Sequence, residues 1–139
     1  MRLGRLIANA SPAASAIEIT GLAYDTRAVT AGTLFFCVPG FTRDGHEFAP
    51  EAIARGAVAL VVERPLNLGV PEINVPSVRA AMAPAAAAFY GDPTKTLQTI
   101  GVTGTNGKTT TAFLVHALLE ADQRQSGLLG TVKSVIAGA

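Results

Sequence analysis

Seven consecutive residues carry the clearest chemistry in this chain: Gly104-Thr105-Asn106-Gly107-Lys108-Thr109-Thr110. Phosphate oxygens are bound by closely spaced backbone N–H donors, and a tight glycine-containing turn can aim several of them inward. Gly104 and Gly107 supply the positive-φ freedom that such a turn needs. If the loop feeds a helix at Thr109, first-turn N–H groups and the positive end of the helix dipole add to its pull on an anion. Lys108 would then bridge terminal phosphates, and the Thr109 hydroxyl would ligate Mg²⁺. The expected ATP-binding residues are therefore Gly104, Thr105, Asn106, Gly107, Lys108, Thr109 and Thr110, with Lys108 as catalytic cation and Thr109 as metal ligand. The strict phosphate-loop pattern asks for a glycine where this sequence has Val102, so only the shorter Thr-Gly-Thr-Asn-Gly-Lys-Thr form is present.

Such a loop works only between a strand and a helix, and the sequence predicts both. Leu97–Val102 reads as the strand, and Thr109–Ala121 as a helix apolar nearly all round. Gly127–Val132 reads as a further strand, which makes a β-α-β unit. Upstream, strands are expected at Ile17–Tyr24, Thr33–Val38, Val58–Val62 and Glu72–Val75, each stopped by a polar, Gly or Pro cluster. Phe48, Ala52, Ile53 and Ala57 recur at helical spacing, with Gly56 marking the helix end. Ser77 is the expected N-cap of an Ala-rich helix reaching Phe89 and Tyr90, with a kink or break at Pro84. Alternating strands and helices predict an α/β fold.

Composition narrows the function classes. About half of the 139 residues are hydrophobic and 15% are charged, which predicts a packed core. A net charge of +1 gives no electrostatic case for nucleic acid or for an anionic membrane surface. One cysteine, Cys37, excludes an internal disulfide and a Cys-based zinc site; in its apolar run it reads as a buried structural thiol. His46 and His116 lack partners at metal-ligand spacing, so His46 is read as a turn or cap residue and His116 as a packing residue on its helix. No apolar stretch approaches the ~18 residues needed to span a bilayer, so a cytoplasmic protein is expected.

Gly91-Asp92-Pro93-Thr94 punctuates the chain like a domain boundary. Residues 1–92 hold enough elements for a small α/β domain, whereas 93–139 supply only the β-loop-α-β start of a parallel-sheet domain. Since β-α-β units rarely cover both of their own faces, the expectation is an N-terminal part of a longer protein.

The string Gly101–Thr111 resembles the ATP loop of the Mur ligases and their relatives, the folylpolyglutamate and cyanophycin synthetases. Upstream, Tyr24-Asp25-Thr26-Arg27, Gly32-Thr33-Leu34-Phe35-Phe36, Pro39-Gly40 and Asp44-Gly45-His46-Glu47-Phe48 resemble the N-terminal uridine-nucleotide domain of two Mur ligases. These are the diaminopimelate- or lysine-adding enzyme and the D-alanyl-D-alanine-adding enzyme. The Thr-Asn loop and the triple threonine favour the first. The resemblance implies an ATP- and Mg²⁺-dependent ligase of peptidoglycan-precursor synthesis, with UDP-N-acetylmuramoyl-L-alanyl-D-glutamate and a diamino acid as substrates. The substrate carboxylate would take the γ-phosphoryl group, and the amine would then displace phosphate. Tyr24 and Thr26 match the first uridine-nucleotide loop, and Phe41, Thr42 and Arg43 the second. Asp25 and Arg27 fit either an intra-turn ion pair or a ligand role. The family's diamino-acid pocket and second ATP contacts would follow residue 139, so the rest of the ligase chain is an expected partner and this polypeptide is not expected to complete the ligation. The alternatives are the D-alanyl-D-alanine-adding ligase and a non-catalytic module that senses a uridine nucleotide.

Overall fold

A computed structural model describes residues 1–136, and the last three residues of the 93–139 segment lie outside that description. Two compact units are distinguished, Met1–Leu97 and Gln98–Ala139.

The first unit is built on a four-stranded, all-parallel sheet in sequence order: β1 (Gly21–Ala23), β2 (Thr33–Phe36), β3 (Ala57–Val62) and β4 (Glu72–Asn74). Strand alternation sorts the side chains between two faces. Leu34 and Phe36 of β2 join Ala59 and Val61 of β3 on one face, where Leu3, Ile19, Ile73, Val78 and Ala85 also pack. Phe35 and Cys37 join Leu60 and Val62 on the other, under Ala49 and Ala52. Burial on both faces explains why β2 and β3 read as continuous apolar runs and not as alternating ones. Thr33 pairs with Ala57 but Leu34 with Ala59, so β3 carries one extra residue at Val58. This bulge puts Val58 on the first face beside Ala59 and leaves Ala57 on the second.

Helices close the layers. The short α1 (Pro12–Ser15) is capped by Ser11, whose side chain accepts the Ala14 N–H. α2 (Ala49–Ala54) continues a 3-10 turn at Gly45–Phe48. α3 (Val78–Phe89) begins at Ser77, whose Oγ accepts the Ala80 N–H at 3.3 Å, as its expected N-cap role requires. The expected break at Pro84 does not occur: helical structure runs unbroken through it. Val78 and Ala85 bury one side of α3 against the sheet, and that packing offsets the hydrogen bond a mid-helix proline forfeits.

Ile17–Tyr24 is not one strand. Ile17 and Ile19 accept backbone N–H groups from Leu3 and Met1, so this stretch first pairs antiparallel with the N-terminus. β1 starts only at Gly21, where β2 becomes available on its other edge.

In the second unit, α4 (Lys108–Ala121) follows Gly107 as expected. Leu97–Val102, expected as a strand, has no regular secondary structure. A strand exists only when a neighbour takes its N–H and C=O groups, and among the described residues nothing pairs with this segment. Gly127–Val132 is likewise reduced to β5 (Leu128–Leu129), which pairs antiparallel with β6 (Ser134–Val135). Local pairing replaces the crossover expected from the β-α-β reading. No residue of α4 is buried, and Leu114 and Leu118 are 60% and 70% exposed. No helix among the described residues is long and apolar enough to cross a membrane.

Candidate functional site

Parallel strands release their chain at the same edge, so the loops that follow β1, β2 and β3 and precede α3 gather at the carboxyl end of the sheet. Two clefts lie among them. The larger, of about 490 Å³, is lined by Tyr24, Val38, Arg43, Gly45, Phe48, Arg79 and Met82. The smaller, of about 260 Å³, is lined by Tyr24, Asp25, Thr26, Phe35 and Phe48, so Tyr24 and Phe48 border both.

The first loop is fixed by an Asx turn. Asp25 caps the 3-10 turn Thr26–Ala28 by accepting the Arg27 N–H at 2.9 Å, and its carboxylate also takes the Arg27 guanidinium in a forked pair. The ion-pair reading of Asp25 and Arg27 is the one the geometry shows. Hydrogen bonding by Arg27 lowers the Asp25 pKa to about 2. This turn leaves the Tyr24 ring two-thirds exposed over the clefts, with Thr26 beside it.

The second loop is a tight turn. Gly40 donates its N–H to the Arg43 carbonyl at 3.0 Å, Pro39 and Asp44 form an isolated bridge, and Gly45 donates to the Val38 carbonyl. Phe41 and Thr42 form the exposed tip and do not line the clefts, and Phe41 is fully exposed. Arg43 turns inward, with its guanidinium 4.3 Å from the Phe48 ring centroid and a 3.4 Å bond to Glu47. Of the five residues expected at a uridine nucleotide, Tyr24, Thr26 and Arg43 are therefore brought together, and Phe41 and Thr42 stand outside.

His46 holds the loop's far end. Its buried ring meets Asp44 Oδ1 through Nδ1 at 2.6 Å and accepts the Glu63 N–H through Nε2 at 3.0 Å. Asp44 also accepts the His46 N–H and takes Arg64 at 2.7 Å, and the hydrogen bonds from His46 lead in lowering its pKa. Glu63 in turn accepts the Val78 N–H at 2.8 Å, so one chain of bonds ties the second loop, β3 and the start of α3. The expected turn role for His46 holds, with a buried core position added to it.

Sequence reasoning missed Val38, Gly45, Phe48, Arg79 and Met82 as cleft residues. Arg79 was open to discovery: it opens a helix after a strand at the edge where open parallel sheets bind ligands. Phe48 is read from the sequence as a helical apolar position and as part of a family-like string, but not as a cleft residue, because that role depends on which way the 3-10 turn rolls it.

In the second unit, Gly104 (φ 147°) and Gly107 (φ 77°) adopt backbone that other residues disfavour, as the loop reading requires. Gly107 caps α4, and residues 103–110 are exposed throughout. Lys108 folds back over its own loop and donates from Nζ to the Gly104 carbonyl at 2.7 Å and the Thr105 carbonyl at 3.3 Å. His116 bonds Ser126 Oγ at 2.7 Å through Nδ1, and Glu120 closes the same turn by accepting the Ser126 N–H. Cys37 is fully buried and its thiol is pushed up to about 12 by burial, as a structural thiol should be. Among the described residues no group of three His, Cys, Asp or Glu side chains could hold a metal ion.

Comparison with known proteins matches the two segments to different family profiles. The profile of the Mur ligase family, catalytic domain, matches residues 18–90, and that of the Mur ligase middle domain matches residues 102–137. The UDP-N-acetylmuramoyl-L-alanyl-D-glutamate–2,6-diaminopimelate ligase of Geobacillus thermodenitrificans is 55% identical over 119 residues, covering 86% of this chain and 24% of that protein. The UDP-N-acetylmuramyl-tripeptide synthetase of Roseiflexus sp. is 52% identical, over 83% of this chain and 23% of its own length. The chain thus spans about a quarter of the length of these relatives. Among solved structures, a diaminopimelate ligase of the same name superposes with a TM-score of 0.79 at 26% identity, over all of this chain and 29% of its own. The MurF ligase of Thermotoga maritima in complex with ADP gives 0.60 at 30% identity, over 78% of this chain and 24% of that one. With more than half of its length matched by the family profile, the chain belongs to the Mur ligase family.

Proposed function

We propose that residues 1–92 bind the uridine nucleotide, and residues 93–139 open the ATP-binding domain, of a cytoplasmic ligase that adds a diamino acid to UDP-N-acetylmuramoyl-L-alanyl-D-glutamate. The observation that carries this reading is the convergence of Tyr24, Thr26 and Arg43 on adjoining clefts at the carboxyl edge of the sheet. The relatives named as diaminopimelate ligases support diaminopimelate over lysine as the amine. The more extensive superposition on a diaminopimelate ligase than on the MurF ligase favours this assignment over the D-alanyl-D-alanine-adding one.

In this reading the exposed loop at 104–110 cradles the ATP phosphates. The substrate carboxylate attacks the γ-phosphorus, breaking its bond to the β-phosphate and releasing ADP to give an acyl phosphate, and the incoming amine then displaces phosphate to form the amide. Lys108 gives up its bonds to the Gly104 and Thr105 carbonyls and turns its ammonium to the transferring phosphoryl oxygens. A hydroxyl on the first turn of α4 and no carboxylate cluster suit a cation held mainly by nucleotide oxygens, so Thr109 would be the chain's own ligand to it. Mg²⁺ supplies neutralisation of the phosphate charge when bound. The polypeptide of 139 residues binds ligands but does not complete the ligation, since among the described residues no side chain of α4 is buried and the segment ahead of the loop pairs with no strand.

Separate calorimetric titrations of this polypeptide with UDP-N-acetylmuramoyl-dipeptide and with MgATP test the reading. Saturable binding of the UDP-substrate is expected; none would sink the ligase assignment. Phosphate release that depends on the UDP-substrate, from this polypeptide alone, would refute the claim of incompetence.

A further inference from the structure

The larger cleft is lined by two arginines and no carboxylate. Arg27, Arg55 and Arg64 of the first unit are each paired with a carboxylate, of Asp25, Glu51 and Asp44 respectively, while Arg43 has only a long 3.4 Å bond to Glu47. Among the described residues no carboxylate pairs with Arg79. Its one polar contact there is a 3.3 Å bond from a guanidinium nitrogen to the Pro39 carbonyl, at the base of the turn that carries Arg43. Two cations are thus brought to one cavity from different elements, one from the 39–44 turn and one from the start of α3.

Two of the first three N–H groups of α3 are already taken. The Val78 N–H goes to the Glu63 carboxylate and the Ala80 N–H to Ser77 Oγ. An anion in this cleft therefore draws mainly on side chains. A guanidinium presents paired N–H donors that match phosphate oxygens and keeps its charge at any working pH. Tyr24, Phe48 and Met82 leave the rest of the wall apolar or aromatic, which suits the body of a ligand with one strongly anionic part.

We propose that Arg79 is a binding residue for the diphosphate of the nucleotide substrate, acting with Arg43 on opposite elements of the same cleft. This deepens the uridine-nucleotide reading above and rests on it. The Pro39 carbonyl keeps the Arg79 side chain at the cleft in the free protein, and phosphate oxygens replace that weak acceptor when the ligand arrives.

The test compares uridine, UMP and UDP binding to the 139-residue chain and to its Arg79→Gln and Arg79→Lys variants. For the unsubstituted chain, affinity should rise with each phosphate. Arg79→Gln should bind UDP at least tenfold more weakly, bind uridine unchanged, and lose part of the salt dependence of UDP binding, Arg43 retaining the rest; Arg79→Lys should recover part of the UDP affinity. Arg79 is exposed, so folding should persist, and Arg43→Gln provides an independent variant of the same clamp. Equal weakening toward uridine and UDP would make Arg79 a support of the 39–44 turn and overturn the proposal, as would unchanged UDP binding. No binding of UDP by the unsubstituted chain would overturn the uridine-nucleotide reading itself, and this proposal with it.

Discussion

His46 accepts the backbone N–H of Glu63 through Nε2 at 3.0 Å, across 17 residues of chain, while its Nδ1 faces Asp44 at 2.6 Å. The first bond makes Nε2 an acceptor, so the proton of the neutral ring sits on Nδ1 and is donated to Asp44. A single buried ring therefore fastens the cleft-bearing turn to the end of β3. Its loss leaves the Glu63 N–H and the Asp44 carboxylate short of a partner. His46→Leu should lower stability by about 2 kcal/mol, the usual cost of orphaned buried polar groups. Urea unfolding measures that figure. His46→Gln should recover more than His46→Leu if its amide oxygen reaches the Glu63 N–H, and equal losses would discount that bond.

Gly45 sits where the same turn touches β2. A Cβ there would lie 2.4 Å from the Val38 carbonyl oxygen and 2.5 Å from its nitrogen, and backbone atoms cannot step aside as a side chain can. Gly45→Ala should cost about 1–3 kcal/mol by overpacking and should displace Arg43 from the larger cleft. Wild-type stability in thermal unfolding would show that the contact is not tight in solution.

Asp25 should titrate well below the ordinary aspartate value, with a midpoint of about 2, because its carboxylate accepts the Arg27 side chain and N–H. The sign follows from a depressed folded pKa. The pair's contribution is complete above the ordinary aspartate range and fades as pH falls from about 4 toward 2. Both groups are solvent-exposed, so the effect belongs to the geometry of the turn more than to global stability. Carboxyl NMR titration of the chain and of Arg27→Ala checks it; the variant should move the Asp25 midpoint up toward 3.8.

Cys37 has no exposed surface and a thiol pushed up to about 12 by burial. A thiol-specific reagent at neutral pH should label it only as fast as the first unit opens. Fast labelling under native conditions would contradict the packing between β2 and α2. The same assay in increasing denaturant gives the opening free energy of the sheet.

Lys108→Ala should weaken MgATP binding at least tenfold, as expected for losing a charged hydrogen-bond donor to phosphate. It should leave Cys37 labelling unchanged, and UDP-substrate binding too under the proposal that the first unit holds that ligand. Equal MgATP affinity in the two proteins would remove the role assigned to Lys108.

The sequence by itself determined what local chemistry can determine. Gly104 and Gly107 announced a loop of positive φ, Ser77 a capped helix and Thr33–Val38 a strand buried on both faces, because glycine freedom, capping and continuous apolar runs act within a few residues. Tyr24, Thr26 and Arg43, singled out by their resemblance to family loops, do line the clefts. Only tertiary structure decided the rest. Leu97–Val102 has strand composition but no strand, since pairing belongs to two segments and not to one. Pro84 stays inside a helix because burial of Val78 and Ala85 outweighs a local penalty. Arg79 reached the cleft, and Phe41 left it, through the path of the chain around the sheet edge, where residues far apart in sequence are set side by side.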